Sequence, residues 1–269
     1  MVVWPRDDPR GASDGDGDDG HQGHRRPGRD GPDPDGARAA DVIARGVRGA
    51  EPGEVPGRLC EVAVELLPVI GASVSLRSDG MPVQLSASSP QAAHLSQIQA
   101  TLGDGPCQSA VEDGAPVLAC DLTTGRDAGR WPVFAQQATE AGVRAVYAVP
   151  LGSGAACVGT LDLYRDRPGG LTDRQLHVAR IVAGVMTVAL MALPHGDEPE
   201  TQDGEDDWLS GLASDHDEVY QAVGMIMAQL GVGADDALAR LRADAFARGR
   251  TALDVARDVI AHRTRFDRS

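Results

Sequence analysis

The chain contains no lysine: all 25 of its basic residues are arginine. A phosphate-binding loop ending in Gly-Lys-Ser/Thr is thereby excluded, and neither "VGT" nor "LGSG" has the spacing of one. Aromatics make up only 3% of the residues. That argues against the stacking platforms of RNA-recognition sheets and single-strand-binding barrels, and it leaves a core built from Leu, Val, Ile and Ala. Cysteine is sparse too. Cys60, Cys107, Cys120 and Cys157 lie 47, 13 and 37 residues apart, which fits neither a zinc knuckle nor a redox CxxC pair. The longest apolar run, Ile181 to Leu193, is too short to span a bilayer and reads as a helix on a core or dimer seam. The acidic, Gly-rich opening has no apolar h-region, so no secretory signal is expected, and a reducing cytoplasm with free thiols is the default. No nucleophile, metal-ligand set or cofactor motif emerges, and the chain reads as a non-enzyme.

What is present divides into four segments. Residues 1–50, dominated by Gly, Asp, Pro and Arg, cannot bury enough apolar surface to offset the entropy of ordering, and read as a disordered tail. Residues 58–193 carry a globular pattern. Residues 194–208 form an acidic linker, within a stretch from Pro194 to Glu218 that has ten acidic residues and no arginine. Residues 209–266 read as a small helical domain. The formal charge of the whole is −15.

Within 58–193, Leu59, Val62, Ala63, Leu66 and Leu67 recur at helical spacing. Two alternating runs, Ala72 to Arg77 and Val83 to Ala87, flank Asp79-Gly80 and predict a hairpin. Helices are expected over Ala92 to Thr101, Cys107 to Glu112 and Trp131 to Ala141, with strands at Pro116 to Ala119, Ala145 to Leu151 and Cys157 to Tyr164. A long helix follows Thr172, a candidate N-cap with Gln175 in the box position. Paired strands joined by helices predict an α+β domain, an antiparallel sheet with helices on one side.

The last segment predicts a small all-α domain of three helices. The first carries Val219, Ala222, Val223, Ile226 and Leu230, and ends at Gly231 and Gly233. The second buries Leu238, Leu241 and Ala245. The third opens on Thr251 with Asp254 as its box partner. Three helices in so short a span make a marginal core, so support from a dimer or a neighbouring domain is expected.

The chemistry here is cationic. From Ala237 to Ser269 there are eight arginines (Arg240, Arg242, Arg248, Arg250, Arg257, Arg263, Arg265, Arg268) against four acids (Asp244, Asp254, Asp258, Asp267), a local balance of +4. Guanidinium suits phosphate and base edges, although charge alone fits the solvated faces of amphipathic helices equally well. Elsewhere, Cys107 opens a helix but has no His or Asp patterned to pair with it, and reads as a buried structural thiol. Asp121 and Asp162 read as turn or edge residues at strand ends.

The tail "VYQAVGMIMAQLGVGADDALARLRADAFARGRTALDVARDVIAHR" resembles the ANTAR domain, a three-helix RNA-binding module of bacterial antitermination regulators. The segments "LGDGPCQSAVEDGAPVLACDL", "RWPVFAQQATEAGVRAVYAVPL" and "GTLDLYRDRPGGLTDRQLHVARIVAG" resemble the GAF domain that precedes ANTAR in actinobacterial proteins. The resemblance implies a sensory domain with a pocket between sheet and helices, taking a small-molecule or protein signal, and a module that recognises paired stem-loop RNA, usually as a homodimer. It implies no cofactor, no metal and no membrane. Arg242, Arg248, Arg250 and Arg257 are the candidate RNA contacts, chosen on charge. The stretch that commonly reads "QAKG" in the family reads "QAVG" here, with Val223 in place of the lysine. A protein-interaction or dimerisation module without RNA binding is the alternative. DNA binding by a helix-turn-helix is a weaker third reading, because "ARGRT" leads into no evident recognition helix.

Overall fold

The computed structural model describes residues 34–78, 81–152, 156–192 and 207–267. In chain order its elements are α1 (Pro34–Gly46), α2 (Val55–Leu66), β1 (Gly71–Ser78), β2 (Met81–Ala87), α3 (Pro90–Leu102), α4 (Pro106–Asp113), β3 (Val117–Ala119), α5 (Gly125–Arg130), α6 (Pro132–Glu140), β4 (Ala145–Leu151), β5 (Gly159–Arg165), α7 (Asp173–Met191), α8 (Asp207–Leu230), α9 (Ala234–Ala247) and α10 (Ala252–Ile260). The Asp79-Gly80 turn and residues 194–206 of the acidic linker lie outside the described residues.

The five strands form one antiparallel sheet in the order β2-β1-β5-β4-β3. Helices cover both of its faces, not one as the strand-helix pattern predicts. On the first face Ala72, Val74, Tyr147, Val149, Leu161 and Leu163 pack against α1, α2 and α7. On the second, Val146, Ala148 and Tyr164 meet residues of α3, α4 and α6. The reason is visible in β4, "AVYAVPL", which is a near-continuous apolar run. A strand buried on both faces gives up the hydrophobic-polar alternation of a one-sided sheet.

α1 is a second departure. It falls within the segment that composition assigns to a disordered tail, yet Ala39, Val42 and Ile43 recur three and four apart and are buried against α2 and α7. Asp35 also forms an ion pair with Arg174 of α7. Composition averages away three apolar residues set among Asp, Arg and Gly; their periodicity does not. Residues 1–33 of the same segment lie outside the described residues.

The caps follow the sequence. Thr172 Oγ1 accepts the Gln175 N–H at 3.3 Å while Gln175 Oε1 accepts the Thr172 N–H at 2.9 Å, closing the box that starts α7. Thr251 and Asp254 make the same reciprocal pair at the start of α10, at 3.1 and 3.2 Å. Gly231, at φ 70°, ends α8 in the left-handed conformation that glycine reaches without strain.

In the C-terminal module α8, α9 and α10 close on a core of Val219, Ala222, Val223, Ile226, Leu230, Ala237, Leu241, Ala245, Val255, Ala256 and Val259. The alanines at facing positions let the helix axes approach closely. Val223 is 5% exposed and belongs to this core. Among the described residues no single helix is long and apolar enough to cross a membrane.

Candidate functional site

The second face of the sheet is apolar under β4 but polar under β1 and β5. Strand alternation sends Ala72, Val74, Leu161 and Leu163 to the first face, so Ser73, Ser75, Thr160, Asp162 and Tyr164 point at α3 and α4. All five are buried. Buried polar side chains need partners, and α3 and the neighbouring strand supply them. Ser75 Oγ lies 2.9 Å from Ser96 Oγ, and Ser73 Oγ lies 2.8 Å from Tyr164 Oη. Gln99 Nε2 donates to Asp162 Oδ2 at 3.0 Å, while Gln99 Oε1 accepts the Cys107 N–H at 3.0 Å. Gln99 thus ties the central strand to α3 and to the first turn of α4.

Asp162 is 1% exposed and sits mid-strand in β5, the centre of the sheet, not at a strand end as the sequence reading has it. Its Oδ1 has no hydrogen-bond partner among the described residues. Burial pushes its carboxyl up to about 7, against the opposing hydrogen bonds from Gln99 and Thr160. A buried carboxyl of this kind offers a donor when protonated and an acceptor when ionised. Gly105, at φ 144°, lets the backbone pass Gln99; a Cβ there would lie 2.7 Å from Gln99 Oε1. Cys107 is buried next to this cluster, and burial, reinforced by Asp162, raises its thiol well above the ordinary value. That disfavours the thiolate a nucleophile requires. Asp121 is a turn residue: its carboxylate accepts from the Thr123 N–H and from the hydroxyls of Thr123 and Thr124. Among the described residues no group of three or more His, Cys, Asp or Glu is placed to hold a metal ion.

The four candidate arginines do not form one cluster. Arg257 donates to Glu218 Oε2 at 2.7 Å, joining α10 to α8. Arg248 pairs with Asp244 at 2.9 Å along α9. Arg250 reaches Asp258 Oδ2 at 2.5 Å and the Asp254 carbonyl at 3.2 Å, tying the α9–α10 corner to α10. Arg250, and then Arg263, hold the Asp258 carboxyl below its usual range. Arg242 is different. Its guanidinium lies over Gly103, with Nε and Nη2 buried and unpartnered, and desolvation lowers its pKa.

Two family matches account for most of this architecture. Residues 50–191 match the GAF domain (GAF_2), and residues 210–260 match the ANTAR domain. The chain belongs to the GAF family, with an ANTAR domain following. A GAF domain is a signal-sensing module and an ANTAR domain an RNA-binding one, so the chain joins a sensing domain to an RNA-binding domain. Among solved structures it is similar to the GAF domain of a phosphoenolpyruvate-protein phosphotransferase from Coxiella burnetii, with 14% identity, a TM-score of 0.46, and coverage of 58% of this chain and 93% of that one. The corresponding Acinetobacter GAF domain gives 10% identity, a TM-score of 0.47, and coverage of 60% and 96%. A free methionine-R-sulfoxide reductase from Neisseria meningitidis gives 16% identity, a TM-score of 0.40, and coverage of 58% and 89%. No curated protein sequence matches the chain.

The GAF and ANTAR domains touch. Thr101 Oγ1, on the last turn of α3, accepts the Ala252 N–H from the first turn of α10 at 3.1 Å. That N–H has no acceptor within its own helix. Arg242 covers Gly103, the left-handed cap that ends the same α3. Beside these contacts lies a cleft of about 670 Å³, with Ile98 and Leu102 of α3 on one wall and Phe246, Arg250 and Asp254 on the other. Sequence reasoning misses Asp162, Gln99 and Thr101. One signal was available for the first: in "GTLDLYR" the apolar Leu161 and Leu163 claim one face, so Asp162 must face the other, which is interior once the sheet is covered on both sides.

Proposed function

We propose that the chain is a signal-responsive transcription antitermination regulator that binds paired stem-loops of RNA as a homodimer through Arg242, Arg248, Arg250 and Arg257. The observation that carries the reading is the arginine excess of the C-terminal stretch from Ala237 to Ser269, +4 in a chain of −15. These guanidiniums supply phosphate contacts within a chain whose overall charge repels phosphate. Dimerisation is supported by α7, where Val188 is 68% and Met191 54% exposed at the end of an otherwise packed helix. On this reading the signal is a small molecule acting at the polar GAF interior, where Asp162 Oδ1 offers an unfilled hydrogen bond.

The test is binding of the full chain to a two-hairpin leader RNA and to duplex DNA across a salt series. With four arginine contacts the slope of log K against log salt is expected near −3 for RNA, with no comparable binding to DNA. Salt-independent or absent RNA binding by a folded, dimeric chain would favour the second reading, a protein-interaction or dimerisation module. One observation speaks for that alternative: Arg248, Arg250 and Arg257 are each engaged by an acid of the same domain.

A further inference from the structure

Two of the four proposed RNA contacts face the GAF domain. Arg242 is covered by the end of α3, and Arg250 lines the cleft between the domains. We propose that the ANTAR domain docked on α3 is a closed form that withholds Arg242 from RNA, and that α3 is the element through which the GAF interior controls its release. This inference rests on the RNA-binding reading above.

Three features of the contact support it. First, the polar bond between α10 and α3 is net-weak: the Ala252 N–H can exchange Thr101 Oγ1 for water on opening, and such an exchange costs little. Second, Arg242 is poorly satisfied where it lies. Two of its nitrogens are buried without a partner, and burial disfavours its charge. A guanidinium held this way gains by moving to a phosphate, so RNA competes directly with the docked form. The carbonyl end of α3 beside Gly103 favours a nearby cation, which offsets part of that burial cost in the docked form. Third, α3 carries both contacts. Ser96 and Gln99 hold its inner side to Ser75 and Asp162, and Thr101 and Gly103 hold its end to the ANTAR domain. A ligand that claims Asp162 from Gln99 shifts α3 on the sheet and strains the docking contact. A bistable element biased from two sites is what coupling between them requires.

The test uses the full chain with Thr101→Val, which removes the acceptor at constant shape, and the bulkier Thr101→Tyr, which wedges the contact. Neither alters the ANTAR surface, and far-UV circular dichroism checks folding. Docking is read without RNA, as the rate of dicarbonyl modification of Arg242 relative to exposed Arg240 by peptide mass spectrometry. Affinity is read separately with the two-hairpin RNA. In the wild type Arg242 should react far more slowly than Arg240. T101V should speed Arg242 about fivefold and tighten RNA binding by up to the same factor, and T101Y should do more. Equal wild-type rates, or no acceleration in either variant, would overturn the closed form. Faster modification with unchanged or weaker RNA binding would overturn the inhibitory role while leaving the RNA reading intact. If no form binds RNA, both fall.

Discussion

Asp162→Asn should abolish a pH dependence of stability that the wild type carries. The carboxyl is fully buried and raised from the ordinary 3.8 to about 7. Because the folded-state value lies above the unfolded one, the folded chain holds an extra proton between about pH 4 and 7, and stability falls as pH rises through that window. At 1.36 kcal/mol per unit, the full difference approaches about 4 kcal/mol by pH 8.5. The amide is a close steric copy of the protonated acid: its oxygen can accept from Gln99 Nε2, and its NH2 replaces the acid proton. A changed hydrogen bond would add about 1 kcal/mol of either sign, but independently of pH. The assay is urea unfolding of both proteins from pH 4.5 to 8.5, read as the difference between them, so that titrations common to both cancel. Cys60, Cys107 and Tyr164, all raised by burial, do not titrate in this range in the folded chain, and their ionisation on unfolding is common to both proteins. The variant should gain on the wild type steadily up to about pH 7 and level off above it. A difference flat in pH, or a variant that loses ground as pH rises, would refute the buried-acid account.

Ile43→Ala should destabilise the GAF domain by about 2–4 kcal/mol in denaturant titration; a neutral result would mean that α1 does not pack on α7. Val223→Lys, which restores the residue common in the ANTAR family, should cost about 3 kcal/mol or more, because it puts an unpaired charge into the three-helix core. A fully stable V223K that binds RNA more tightly would show instead that position 223 faces RNA. Arg257→Ala should reduce the magnitude of the salt slope for RNA binding by about 0.7–0.9, the share of one phosphate contact; an unchanged slope would remove Arg257 from the interface.

Periodicity and capping were legible; burial on two faces was not. Thr172 with Gln175, and Thr251 with Asp254, state their helix starts in four residues each, because a cap is a local bond between neighbours. The strands β1, β4 and β5 are equally local. Whether a sheet face meets water or a helix depends on chain far away, and that decides whether Asp162 is an edge residue or a buried acid. α1 shows the opposite limit: three apolar residues suffice for a packed helix when α7 provides a surface, although the composition around them argues for disorder. Val223 shows a third. Family comparison marks the lysine-to-valine change as a loss at an RNA face, while the i, i+3, i+4 series of Val219, Ala222 and Val223 already places it on the apolar stripe. The arginines were legible as a set but not one by one, because charge does not say which guanidinium an acid of the same domain already holds.

That distinction ranks the arginines. The pairs of Arg248 with Asp244 and of Arg257 with Glu218 are partly solvated, and such pairs contribute little net stability. A phosphate can displace the carboxylate without unfolding anything, so these acids position the guanidiniums more than they disable them. Among the described residues Arg242 has no acid to exchange. On the proposed closed form it becomes available only when α9 and α10 leave α3, so its contribution to RNA binding would be set by the opening equilibrium and not by its own pairing. It follows that a change at Thr101, which never touches RNA, should move affinity upward, whereas removal of an ion-paired arginine should lower it and flatten its salt dependence. A rise in affinity from a change at Thr101, beside a fall from the loss of an ion-paired arginine, is a pattern that a simple charged surface, open at all times, cannot produce.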